Sequence, residues 1–155
     1  MRNRAEIPIL EEQTYKSVLT YIALQSIALI RTVLGQDLPM DTLTVFTHDP
    51  VEHIYMVKLL KSYGHVSRKS HGATLYVEVS LTVEGQAIKL LGVREPDETR
   101  PQVGYADFLV TNYNDIRDLS NPYIQEITSG LSEKLLEVRH PDFDVLGYVK
   151  RVNFR

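Results

Sequence analysis

The stretch Ala73–Val83 reads A-T-L-Y-V-E-V-S-L-T-V, with an apolar side chain at every odd position from Ala73 to Val83. Successive strand side chains point to opposite faces, so this alternation predicts a long strand whose second face carries Thr74, Tyr76, Glu78, Ser80 and Thr82. A face that polar either meets water or lines a cavity. Because the flanking strands repeat the alternation, a curved sheet would gather their polar groups into one pocket.

Glu84-Gly85 supplies a hairpin turn after this strand, and Gln86 to Arg94 returns beside it. Before it, a strand around His65 to Lys69 turns at Ser70-His71-Gly72. Further upstream, D-T-L-T-V-F-T from Asp41 is a short alternating strand with Leu43 and Val45 on one face and Thr42 and Thr44 on the other. The following T-H-D-P-V-E starts a helix: Asp49 caps it, Pro50 fits the first turn, and Glu52 completes a capping box. Gly64 ends that helix. Residues 41–94 thus form a βαβββ module.

The polar loop E-P-D-E-T-R-P-Q-V, with two prolines, connects to a strand G-Y-A-D-F-L-V-T. Ala106, Phe108 and Val110 share one face of it, and Tyr105, Asp107 and Leu109 the other. A helical segment from Asn114 or Asp115, restarted at Asn121-Pro122 and interrupted by Gly130, leads to strands in L-E-V-R-H-P and D-F-D-V-L-G-Y-V-K-R-V. The expectation is a second, shorter βαββ unit.

Upstream of both, Tyr15, Val18, Leu19, Ile22, Ser26, Leu29, Ile30 and Val33 form an apolar stripe at helical spacing from Glu11 to Leu34, stopped by Gly35. A membrane-surface helix would carry a polar face rich in Lys and Arg, which this one lacks. The division expected is an N-terminal helical segment, residues 1–40, and one domain, 41–155, with modules at 41–100 and 101–155.

The 155 residues suit one compact α+β domain with a helical extension. There is no cysteine, which excludes disulfides, thiolate metal sites and a cysteine nucleophile. Seventeen basic and twenty acidic residues, well mixed, give a net charge of -3 and no electrostatic footprint for nucleic acid. The start lacks a secretory pattern. The greasy segment Val18–Leu34 is interrupted by Gln25, Ser26 and Arg31, short of the roughly 20 apolar residues that span a bilayer. A cytoplasmic protein with no membrane partner is expected. The eight glycines are scattered singly, so no phosphate loop is present, and no G-x-S-x-G elbow occurs.

Paired βαβββ modules forming a cup-like sheet are the architecture of the vicinal-oxygen-chelate superfamily, which includes glyoxalases and extradiol dioxygenases. Within it the chain resembles the YecM family, over roughly residues 34 to 111. The resemblance runs through L-G-Q-D-L-P-M-D-T-L-T-V and L-L-K-S-Y-G to E-P-D-E-T-R-P-Q-V-G-Y-A-D-F-L-V. It implies helices on the convex side and a ligand or metal in the cup. It also implies a histidine just after Asp41 and another at the Asp107 position, where this chain has Thr42 and Asp107. Neutral Thr is a poor replacement for imidazole, and only Asp107 and Glu78, with Glu95 outside them, could coordinate, so a divalent metal is disfavoured and no cofactor is expected.

Alternation alone sends Thr42, Thr44, Tyr76, Glu78, Tyr105 and Asp107 to the cup. Glu78 and Asp107 are the candidate acid/base groups, and Glu78 otherwise serves as a cross-strand partner for Lys89 or as a plain solvent-facing carboxylate. Thr42, Thr44, Tyr76 and Tyr105 are candidate ligand contacts. Arg94 and Arg100 border the loop and could clamp a carboxylate or phosphate, or else pair with Glu95, Asp97 and Glu98. His48 and His53 read as exposed or capping residues, and His140 as a surface residue.

The function expected is binding of a small molecule in the cup, to which the resemblance adds an isomerase-, lyase- or oxygenase-like reaction. The alternative is a non-catalytic interaction or oligomerisation domain with a self-filled cup. A symmetric homodimer is expected through an unpaired edge strand near Asp142 to Val152.

Overall fold

The computed structural model describes residues 12–70, 72–130 and 132–152, with side chains from residue 17 onward. The first helix, α1 (Glu12–Leu34), is followed by β1 (Met40–Val45), α2 (Pro50–Lys61), β2 (His65–Val66), β3 (Thr74–Val83) and β4 (Gln86–Arg94). Then come β5 (Gly104–Val110), α3 (Tyr113–Arg117), β6 (Ile124–Thr128), β7 (Lys134–Val138) and β8 (Val145–Arg151). All eight strands form one sheet in the order β2-β3-β4-β1-β5-β8-β7-β6. The first half runs 2-3-4-1 and the second 5-8-7-6, so the order reads the same from either edge. In each half the first and last strands pair in parallel, β1 with β4 and β5 with β8, while the remaining pairings, including β1 with β5 at the centre, are antiparallel. This is the paired-module α+β architecture anticipated above.

In the first module the start of α2 and the β3–β4 hairpin form as expected, while the strand expected over His65 to Lys69 shortens to His65–Val66. Asp49 accepts a hydrogen bond from the backbone N–H of Glu52 at 2.8 Å, and Pro50 opens α2. Glu84 and Gly85 both take positive φ, 49° and 78°, which closes the β3–β4 hairpin in a twist-compatible turn. A bulge between Glu78 and Leu81 then kinks the long strand.

The second module corrects the sequence reading. Ile124 to Thr128 is β6, paired antiparallel with β7, where a restarted helix was expected. The reason lies in the turn before it. Ser120 takes a left-handed φ of 55°, and the Asn121 side chain accepts from the N–H of Tyr123 and donates to the carbonyl of Val33. Asn121 is thereby committed to a turn pinned to the end of α1, with Pro122 at its second position and the Ile124 N–H donating to the Asn121 carbonyl at 3.1 Å. Gly130 belongs to the β6–β7 connection. The unit is therefore βαβββ, like the first.

A further correction follows from the strand order. β8 lies between β5 and β7, so the stretch near Asp142 to Val152 is not an unpaired edge. The edges are β2 and β6, and the dimer argument built on β8 loses its basis.

The core lies between the sheet's convex face and the helices. Leu43 sits opposite Leu91 on one side and Ala106 on the other, and Leu91 opposite Val77; all four are fully buried. Val18, Leu19, Ile22, Ala23, Ser26, Leu29 and Ile30 of α1 are buried in the same body, where α1 lies over β1, β5 and β8. The stripe's Tyr15 falls outside the described side chains. By length and composition Ser17–Leu34 would be long and apolar enough to cross a membrane, with mean hydropathy 1.6, and here its apolar stripe packs on the sheet. From α2, Met56 and Leu60 are buried over β3 and β4.

Candidate functional site

Register places the polar alternates on the opposite, concave face. Thr42 is the cross-strand partner of Asp107, and Thr44 that of Tyr105, across the central β1–β5 pair. Thr44 also pairs with Gly92, and Gly92 with Tyr76. A side chain at residue 92 would meet Thr44 Oγ1 at 2.8 Å and the Tyr76 ring at 2.9 Å. Glycine there lets the Tyr76 ring lie across β4 toward the centre of the cup.

Asp107 is the centre of the site. It is buried, its Oδ2 accepts a hydrogen bond from Lys150 Nζ at 3.0 Å, and its Oδ1 is buried without a partner. Burial pushes its carboxyl up to about 6, against the opposing charge and hydrogen bond of Lys150. Burial also disfavours the charged form of Lys150, but the Asp107 charge and hydrogen bond outweigh it and the ammonium's pKa is raised. At neutral pH the pair is ionised.

Two cavities meet at this pair. One, of about 250 Å³, is lined by Thr74, Tyr76, Arg94, Tyr105, Asp107, Tyr148 and Lys150, with Ile127, Ser129, Gly130, Glu133 and Leu135 of the second module as its far wall. The other, of about 330 Å³, lies toward Asp41, Thr42, Lys69, Leu90, Leu109 and Arg151, and shares Tyr76, Asp107, Glu133 and Lys150 with the first. An aromatic floor supports them. The ring of Tyr105 packs edge-on against Tyr148 at 4.9 Å between centroids and tilted against Phe46 at 5.4 Å. Burial, followed by the neighbouring Tyr105 hydroxyl, raises the pKa of Tyr76. Burial and Glu137, which accepts from the Tyr148 hydroxyl at 3.2 Å, raise that of Tyr148. Both phenols therefore stay protonated.

The candidates read from sequence separate into two groups. Tyr76, Arg94, Tyr105 and Asp107 come together around the first cavity, and Thr42 faces the second beside Asp107 and Tyr76. The others do not line either one. Glu78 pairs with His65 of the β2 edge and with Leu90, and is exposed. Thr44 is fully buried under Tyr76. Arg100 stacks its guanidinium 4.3 Å over the Phe46 ring and reaches Asp97 at 3.5 Å, the more ordinary of its two expected roles.

Lys150, Tyr148 and Glu133 were not recognised from the sequence. For the first two the signal exists: Leu146, Tyr148 and Lys150 alternate in phase with Tyr105 and Asp107, and the parallel partner of Asp107 is Tyr148. Glu133 comes from the β6–β7 connection and carries no such signal. The histidines also need correction. His48 is buried rather than exposed, its Nε2 lying 2.9 Å from the Arg100 carbonyl and 3.2 Å from that of Gln102. His140 is largely covered by contacts with Tyr123 and Phe143.

The two positions where the resemblance implies metal-binding histidines are thus direct neighbours on the central strands. They do not fit a divalent ion: Thr42 is a neutral donor, and the Asp107 carboxylate already faces an ammonium. Among the described residues no group of three or more His, Asp or Glu side chains is placed to hold one.

No protein-family model matches the chain, and no curated protein matches it. Among solved structures the chain is similar to one described as "Structural Genomics, Protein EC4020", with a TM-score of 0.70 and 17% identity over 99% of this chain and 93% of that one. It is also similar to a glyoxalase/bleomycin resistance protein/dioxygenase superfamily member from Vibrio splendidus 12B01, with a TM-score of 0.43 and 14% identity over 74% of this chain and 99% of that one. The first likeness shows that the fold is one already seen.

Proposed function

We propose that this chain is a small-molecule-binding protein of the vicinal-oxygen-chelate type, near the YecM family, whose ligand occupies the cup and whose Asp107–Lys150 pair handles a proton. One observation carries the reading: a buried carboxylate with a free Oδ1, held by an ammonium where two cavities meet. A buried acceptor without a partner is costly unless a ligand supplies one. The raised pKa gives the group a basicity suited to taking a proton from a ligand near neutral pH, while Lys150 favours negative charge developing beside it. Two polar, solvent-connected cavities also speak against a cup filled by its own side chains.

The test is a ligand-observed NMR screen of small polar compounds against the wild-type chain and Asp107→Asn. Compounds that bind the first and are lost or weakened about tenfold with the second support the reading. Hits that bind both proteins equally well contradict it.

A further inference from the structure

Arg94 is a second charged group in the cup with a polar atom that the protein leaves without a partner. Its Nε is buried with no hydrogen-bond partner, and none of the ion pairs among the described residues includes it. It borders the smaller cavity, close enough to the Tyr76 hydroxyl for its charge to oppose the rise in that phenol's pKa. A guanidinium is a rigid fork of donors that cannot shed its charge, so burying part of it unpaired is costly until an anion arrives.

The sheet sets the distance between this cation and Asp107. Asp107 lies across from Thr42, and Thr42 from Leu90, so Arg94 stands two strands away and four residues further along. At about 4.8 Å per strand and about 3.3 Å per residue, the two Cα atoms are about 16 Å apart. The reach of both side chains closes most of that gap and leaves several ångströms. One ligand atom cannot serve both groups, but the two ends of one small ligand can.

Resting on the reading of the cup as the ligand site, we propose that it binds a small hydroxylated monocarboxylic acid. The carboxylate takes the Arg94 fork, the carbon chain crosses the aromatic floor at Tyr105, and the hydroxyl donates to Oδ1 of Asp107. A carboxylate suits the site better than a phosphate dianion, because Asp107 and Glu133 face the same cavity and oppose a second negative charge. The volume agrees: about 250 Å³ is the room of about eight waters at about 30 Å³ each, enough for an acid of four or five carbons.

The experiment is NMR of the full chain with labelled arginine and tyrosine, titrated separately with 3-hydroxybutyrate, 4-hydroxybutyrate, butyrate, 3-hydroxybutyramide and inorganic phosphate. Saturable shifts of the Arg94 Nε–H with the hydroxy acids are expected, with at least tenfold weaker binding of the amide and of the hydroxy acids to Arg94→Gln. Arg94→Lys, which keeps the charge and loses the fork, should fall between. The acid-against-amide comparison on the wild type holds even if the Arg94 variants fold poorly. Equal affinity for acid and amide, or tighter binding of phosphate than of either hydroxy acid, overturns the proposal. If the amide alone moves Tyr105 and Tyr148, the anion assignment falls and the cup remains a binding site. If no probe moves any cup resonance, both fall.

Discussion

The two faces of the central sheet are built from the same strands and obey different rules. On the convex face, Val77, Leu91, Leu43 and Ala106 lie side by side across four strands, all fully buried. One residue along, on the concave face, the neighbours are Glu78, Leu90, Thr42 and Asp107, which range from exposed to buried. A dry face needs only apolar groups of suitable volume. A cup needs particular partners, and Asp107 has Lys150 while Glu78 has water.

The largest break in this contrast comes from placing a charge on the dry face. Val77→Asp buries a carboxylate with no cation near, and should cost roughly 3–5 kcal/mol in chemical denaturation. A loss below about 1 kcal/mol would mean the convex face is wet.

Next is Lys150→Met. It leaves the Asp107 carboxylate without its cation, and because Lys150 is partly exposed we expect a loss of about 2 kcal/mol at pH 8. The loss should shrink toward pH 5, where the carboxyl is protonated. A pH-independent loss would indicate that Lys150 matters only through its packing.

The wild-type pH profile should be the next smaller effect. The folded-state pKa of Asp107, about 6, lies above its ordinary value, so its contribution to stability is fully present below about pH 4 and is lost as the pH rises through 6. Asp107→Asn should flatten that part of the curve. An unchanged slope between pH 4 and 7 would assign it to other groups.

Why one face was legible and the other only in part follows from the same contrast. Alternation in Ala73–Val83, Thr42–Val45 and Tyr105–Val110 needs no partner to be read, and it placed Val77, Leu43 and Phe108 in the core and Tyr76 and Asp107 in the cup. It could not rank the polar residues. Glu78 and Asp107 look alike in sequence, but one lies near the edge strand β2 and the other at the sheet's centre, and strand order is a long-range property. Lys150 was missed because β8 was read as an unpaired edge strand, whereas it lies beside β5 and brings its lysine to Asp107. β6 was missed because Asn121-Pro122 was read as a helix restart, whereas it makes a turn and the residues after it pair with β7.

The smallest effect belongs to Glu78→Gln, which should change stability by less than about 0.5 kcal/mol at any pH between 5 and 8. A larger change would mean that Glu78 has a buried partner and that the cup extends to the β2 edge.

The most direct measurement is the titration of Asp107 itself, followed through its carboxyl carbon by NMR in the wild type and in Lys150→Met. The account predicts a midpoint near 6 in the wild type, moving upward when the ammonium is removed. A midpoint in the ordinary carboxylate range near 4, unchanged by Lys150→Met, would contradict the buried, lysine-held carboxylate on which the proposed site depends.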